Sequence, residues 1–296
     1  MAKSLGMIHT VNVVHPFNSE AQDQLRPVDL SGGLTTQLSR NIRQGQYFKL
    51  VGIDANIQAL EDGTDTPEGG SVTGRLQYFA PTKGRCMAYR NAFSAVRNAM
   101  KDQGINYGAD SMYDFRVAMR PNDSYFDPLV GYVFPNQATL DGIEGLTLMD
   151  APAQKYSVFD VHNSNVSAQQ TVQPTPIPFG TYGNSTDFTL NDRFLFRGNE
   201  EFATLTPEEI PFTIAWDNDS EEYSLLFQWR PDPALYVSIM CGLIDVKIDN
   251  IEILGDTDLL NIHWAFHISG WKSIMGNPDK KKRSKRKSRG RRKSKK

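Results

Sequence analysis

A chain of 296 residues, 39% of them apolar, can bury a sizeable core as one large domain or two smaller ones, which excludes a fibrous or wholly disordered protein. The formal charge of −2 conceals an asymmetry: 13 of the 32 Lys and Arg fall within residues 280 to 296, leaving 19 cations against 34 acids in residues 1 to 279, a formal −15. Cys86 and Cys241 stand far apart without a CxxC spacing and read as small buried side chains in a reducing compartment, and no apolar run is long enough to span a membrane, so a soluble protein made in the cytosol is expected.

Residues 1 to 45 hold one short β-like run, Thr10 to Val14, then a polar stretch with Pro16, Pro27 and the Gly32-Gly33 pair. They read as an extended N-terminal arm. From Leu50 to Leu60, Val51, Ile53, Ala55, Ile57 and Ala59 alternate with polar residues, the period-two signature of a strand with one wet face. Turn residues fill Glu61 to Gly70, and alternation resumes through Val72, Gly74, Leu76 and Tyr78, which predicts an antiparallel pair around an acidic loop. Tyr89 to Gln103 is the one predicted helix, with Phe93, Val96 and Met100 on one face and Arg90, Arg97 and Lys101 on the other, and Gly104 past its end. Three cations at that spacing make a solvated face, not a site.

Further strands are predicted at Tyr113 to Arg120, Lys155 to His162, Asp187 to Arg197, Phe212 to Trp216, Tyr223 to Trp229, Leu235 to Asp249 and Leu260 to Gly270. Long connectors rich in Pro, Gly and Asn separate them, notably Asn163 to Asn184. The sequons at Asn165 and Asn184 read as accidental in such a chain. Eight or nine strands, one inserted helix and long loops predict an all-β fold, an eight-stranded jelly-roll sandwich over residues 46 to 276, since a second sheet is how an all-β chain of this size hides its edges.

The chain carries no nucleophile elbow, P-loop, dinucleotide fingerprint or zinc spacing, so a non-enzymatic protein without cofactor or metal is expected. His263 and His267 share a strand face about 7 Å apart, as in a cupin-like metal site, but no further ligand is spaced to join them. Asp62, Asp65 and Glu68 in one loop, and Asp217, Asp219, Glu221 and Glu222 in another, lack EF-hand spacing and read as solvated acidic loops.

Residues 277 to 296 end in KKKRSKRKSRGRRKSKK, with no acidic or apolar side chain. Nothing in that run can offset backbone ordering entropy, so a disordered tail is expected until a polyanion neutralises it. The nucleic-acid contacts fall to Lys280, Lys281, Lys282, Arg283, Lys285, Arg286, Lys287, Arg289, Arg291, Arg292, Lys293, Lys295 and Lys296. The same clusters match a nuclear-import signal, which adds import receptors as partners. A membrane partner is not expected, because no hydrophobic or lipidation anchor adjoins the run.

A jelly-roll-like body without catalytic residues, an acidic surface, an extended N-terminal arm and a terminal Arg and Lys cluster resemble the capsid proteins of small circular Rep-encoding single-stranded DNA viruses, the circovirus-like group. The basic arm of that family is usually N-terminal, and here residues 1 to 45 hold only Lys3, Arg26, Arg40 and Arg43. The resemblance implies a homo-oligomeric icosahedral shell of about sixty copies or a multiple, a single-stranded genome as partner, DNA ahead of RNA, and location in the virion and host nucleus after synthesis in the cytoplasm. The other readings are a cellular nucleic-acid-binding or chaperone-like β-sandwich with a basic nuclear-targeting tail, and a cupin-like or carbohydrate-active jelly-roll enzyme in which His263 and His267 would bind metal.

Overall fold

The computed structural model describes residues 7–18, 25–59, 69–102, 104, 106, 115–119, 146–149, 155–170, 178–179, 188–189, 201–217, 227–232, 236–254 and 259–275. Their elements, in chain order, are β1 (His9–Asn18), β2 (Leu25–Asp29), α1 (Leu30–Leu38), β3 (Gln46–Ala59), β4 (Gly69–Tyr78), α2 (Lys83–Asp102), β5 (Thr147–Met149), β6 (Lys155–Ser157), α3 (Val158–Gln170), β7 (Pro178–Phe179), β8 (Phe188–Thr189), β9 (Glu208–Asp217), β10 (Phe227–Trp229), β11 (Val237–Met240), β12 (Leu243–Leu254) and β13 (Leu259–Ser273).

Two antiparallel sheets form a β-sandwich. The first runs β1-β13-β3, with β10 and β11 sharing the outer edge of β3, and the second runs β2-β12-β4-β9. Their inner faces meet in one apolar core, where Phe212 of β9 packs edge-on against Trp264 of β13 with ring centroids 5.0 Å apart. Trp264, Phe48, Phe266, Leu50 and Ile53 are fully enclosed there, and burial of each such side chain contributes about 1.5–3 kcal/mol. Three edge strands each carry a proline, Pro16 in β1, Pro27 in β2 and Pro211 in β9. A missing N–H on an edge discourages pairing with the sheet of another molecule.

The segment expected as an N-terminal arm supplies an edge strand to each sheet, because β1 pairs with β13 over its whole length and β2 pairs with β12. It also supplies α1, whose Gly32-Gly33 pair argues against a helix by propensity alone. Asp29 compensates as N-cap, accepting from the Ser31 and Gly32 amides at 2.9 and 3.1 Å. Gly33 is needed for packing: a Cβ there would stand 2.4 Å from a methyl of Val11, so only glycine lets α1 lie against β1.

Three helices occur among the described residues, against the one expected. Lys155 to His162, expected as a strand, contributes three strand residues and then enters α3. In Tyr113 to Arg120, also expected as a strand, described residues 115 to 119 form no strand, and Phe115, Val117, Ala118 and Met119 are all buried. Leu235 to Asp249 divides into β11 and β12 at Cys241 and Gly242, both in the left-handed region with φ of 60° and 71°, and this turn carries the chain from one sheet to the other. In β3 the expected alternation slips by one, since Val51 is an extra residue between Leu50 and Gly52 in the pairing with β13.

The excursion between β4 and β9 builds a second core at the end of the sandwich, where α2, α3 and residues 115–119 pack on Phe79, Met240, Leu243 and Ile274. Side-chain amides pin it in place of strands. Gln44 exchanges hydrogen bonds with the Val117 backbone at 2.8 and 2.6 Å, and Asn163 does so with Ala203 at 2.9 and 2.7 Å. Cys241 is buried and Cys86 half-buried.

Candidate nucleic-acid interface

The thirteen cations of the tail, Lys280 to Lys296, lie outside the described residues; the place from which the tail departs does not. β13 ends at Ser273, and Ile274 then sinks into the second core, 1% exposed. Its amide donates to the Gly45 carbonyl at 3.1 Å, and its carbonyl accepts from Arg90 Nε at 2.7 Å. One of the three cations on the predicted helix face is thus engaged in fixing the tail root, while Arg97 and Lys101 stay exposed. Two further exposed cations flank the root along the backbone, Lys272 on β13 and Arg43 just before Gly45. The described chain therefore ends at a fixed point of the sandwich end that carries the inserted helices.

The outward face of the first sheet carries a polar chain. Thr10 Oγ1 lies 2.9 Å from His267 Nδ1, His267 Nε2 lies 2.7 Å from Asp54 Oδ2, and Arg230 Nη2 pairs with Asp54 at 2.6 Å. A carboxylate can only accept, so in the neutral imidazole Nε2 holds the proton and Nδ1 accepts from the Thr10 hydroxyl. Partial burial pushes the Asp54 carboxyl up, but the hydrogen bonds from His267 and Arg230 outweigh it and hold the group below the ordinary carboxylate range. Both His267 nitrogens are engaged, which leaves it no lone pair for a metal in this arrangement. Among the described residues no three His, Cys, Asp or Glu side chains gather to hold a metal ion.

His263 faces the same way as His267, as its spacing predicts, and lines a depression of about 370 Å³ with Asn12, Val14, Asn56, Gln228 and Ala265. Val14 is 48% exposed there; among the described residues the other large exposed apolar side chains, Met7, Ile8, Phe202, Tyr236 and Met275, are spread over several segments, and Lys49 stands 4.3 Å above the Tyr236 ring.

The outward face of the second sheet is ionic. Arg75 reaches Asp249 with Nε at 2.9 Å and Glu209 with Nη1 at 3.1 Å. The hydrogen bond from Gln77 and then the Arg75 guanidinium hold the Glu209 carboxyl below its usual range; Arg75 does the same for Asp249. Of the predicted acidic-loop residues, Asp217 ends β9, while Asp62, Asp65, Glu68, Asp219, Glu221 and Glu222 lie outside the described residues, as does Asn184. Asn165, the other sequon asparagine, is buried and donates to the Val161 carbonyl at 2.9 Å.

Residue patterns did not point to three of these features. The roots of the polar chain, Thr10 and Arg230, sit in β1 and just beyond β10, and only cross-strand register brings them beside His267 and Asp54. The buried Arg85, which donates to Glu208 and to three backbone carbonyls, carried no signal at all, since the helix expected from Tyr89 begins at Lys83. No described helix is long and apolar enough to cross a membrane. No protein-family model, curated protein or solved structure matches the chain.

Proposed function

We propose that this chain is the capsid protein of a small virus, a jelly-roll subunit that assembles into an icosahedral shell and packages a single-stranded genome through residues 280 to 296. The observation that carries the reading is the charge segregation: 13 cations and no acid beyond residue 279, joined to a body of formal −15 at a buried, doubly hydrogen-bonded root. A tail of this kind binds phosphates by counterion release without reading bases, and many tails inside one closed shell raise their effective concentration over one genome. The anionic body repels the same polyanion from the other surfaces.

The strand order supports the jelly-roll part of the proposal. With β10 and β11 taken as one edge, the sequence positions run first, eighth, third, sixth in one sheet and second, seventh, fourth, fifth in the other. The chain changes sheet at every step except from β4 to β9, the alternation that a double Greek key would give. Proline on three edges disfavours edge-to-edge pairing, so subunit contacts fall on loops and faces. Single-stranded DNA is the proposed cargo, about sixty copies or a multiple the proposed assembly, and nuclear import the second use of the tail.

Electron microscopy of the purified protein, with its ultraviolet absorbance ratio before and after deletion of residues 280–296, tests the proposal. Closed uniform particles that lose nucleic acid with the tail support it. A small oligomer of fixed size overturns it in favour of a chaperone-like nucleic-acid-binding protein.

A further inference from the structure

We infer that the outward face of the first sheet is a two-fold contact between two copies of this chain, each placing its Val14 in the hollow of the other. The contact does not depend on whether such pairs go on to close a shell. Of the large exposed apolar side chains among the described residues, Val14 alone stands within a strand, 48% exposed in the middle of β1. It borders the hollow of about 370 Å³, whose walls are almost wholly apolar.

Register explains the hollow and the projection beside it together. Ala265 lies between Asn12 of β1 and Asp54 of β3, and its small side chain leaves the sheet low there. Val14 and His263 form the next outward-facing pair of the β1–β13 ladder, with Val14 projecting and the imidazole walling the hollow. A projection and a hollow that adjoin on one face are filled together only when a two-fold axis passes between them, the isologous geometry of most dimers. Each Val14 then rests on the other copy's Ala265, against the flank of its His263 ring.

Charge favours this face over the other. Each body carries a formal −15, so two copies repel unless they meet where local charge is matched. Asn12, Asn56 and Gln228, all exposed, rim the hollow without charge, and Asp54, the one carboxylate lining it, is paired with Arg230 and His267. The outward face of the second sheet presents Arg75, Glu209, Lys247 and Asp249 instead, which a partner would have to strip of water. An apolar centre within an uncharged rim is the compositional mark of a protein contact. Three strands about 4.8 Å apart, over ten residues of about 3.3 Å, span roughly 500 Å² per copy, so a pair covers about 1,000 Å², the lower bound of a specific interface.

The test is sedimentation of the full-length protein across a concentration series, at about 1 M salt so that nucleic acid leaves the tail. A monomer–dimer equilibrium with Kd on the order of 10 μM is expected, weakened at least tenfold by Val14→Asp and by Ala265→Met, which fills the hollow. Thr213→Asp sets the same charge on the exposed second-sheet face of β9 and should leave Kd unchanged. Should Val14→Asp or Ala265→Met misfold by circular dichroism, Asn56→Lys and Gln228→Lys carry the test, as each sets like charges across the axis. A monomeric wild type overturns the inference, as do undiminished association in the face variants or an equal loss in Thr213→Asp. A dimer that never closes into particles keeps this inference and loses the coat-protein reading; particles that form unchanged from Val14→Asp protein do the reverse.

Discussion

Arg85 Nη1 lies 2.7 and 2.8 Å from the two carboxylate oxygens of Glu208, closing a loop of 123 residues between α2 and the first residue of β9. The guanidinium is 1% exposed and also donates to the carbonyls of Ala80, Thr204 and Thr206, while the Phe79 ring lies 5.0 Å from its Cζ. The pair fastens both ends of the excursion that builds the second core. Arg85→Met strands three carbonyls and a carboxylate, and should cost about 3 kcal/mol in urea unfolding. Glu208→Gln keeps an acceptor and should cost about 1 kcal/mol. Equal effects from the two would show that charge, not carbonyl satisfaction, is what Arg85 supplies.

His15 gives the fold an acid-sensitive joint. It points into the sandwich from β1, 7% exposed, with Nδ1 buried and unpartnered among the described residues. Burial pushes its pKa down to about 4, opposed by a hydrogen bond with the Pro27 backbone and assisted by the Arg26 charge. The unfolded chain takes up the proton near 6.5 and the folded one only near 4, so stability is full above 6.5 and falls as pH drops between those values. The loss amounts to about 3 kcal/mol. His15→Leu should flatten that part of the profile in unfolding titrations, and an unchanged slope would remove His15 as its source.

Gly242 admits no side chain for two separate reasons. Its φ is 71°, and a Cβ would stand 2.8 Å from the Phe48 ring at the turn where the chain changes sheets. Gly242→Ala should lower stability by about 1–3 kcal/mol, measured as a shifted thermal midpoint. A neutral result would mean that Phe48 can move aside without loss of packing.

The tail makes a quantitative salt prediction. Binding of the full-length protein to single-stranded oligonucleotides of different sequence should be uniform, with log K against log salt no steeper than roughly −9 for thirteen cations at about 0.7 each. Removal of residues 280–296 should abolish the slope with the binding. A sequence preference that survives high salt would argue for base readout elsewhere on the body.

What could be read from residue order depended on period. β13 and β4 were legible because each has one wet face, so alternation survives as the unaided signal; β3 was legible only from its bulge onward, which changes the buried set from Phe48 and Leu50 to Ile53, Ala55 and Ile57. α3 was not. Its buried positions, Val158, Phe159, His162, Asn165 and Val166, are spaced as a helix, but two are polar and serve hydrogen bonds that no pattern announces: His162 to the Glu201 carbonyl and Asn165 to the Val161 carbonyl. α1 was hidden for the opposite reason, as Gly33 answers to Val11 on a neighbouring strand and the helix start to a single Asp cap. The charged tail needed no structure to be seen. The Thr10, His267, Asp54 and Arg230 chain could not have been, because its first and last members stand 257 residues apart and the four meet only through register.

The pairing of His9 with Ile268, the opening register of β1 on β13, also sets a timetable. β13 separates β1 from β3, and β12 separates β2 from β4, so neither sheet has its middle until the last strands have left the ribosome. At about 5–20 residues per second β1 waits roughly ten seconds or longer for its partner. Within the two large sheets, only the β4–β9 ladder and the short contacts of β3 with β10 and β11 can form meanwhile. The apolar faces of the early strands stay uncovered for that interval, which makes the nascent chain a client for chaperones and makes its yield depend on how fast the final strands arrive.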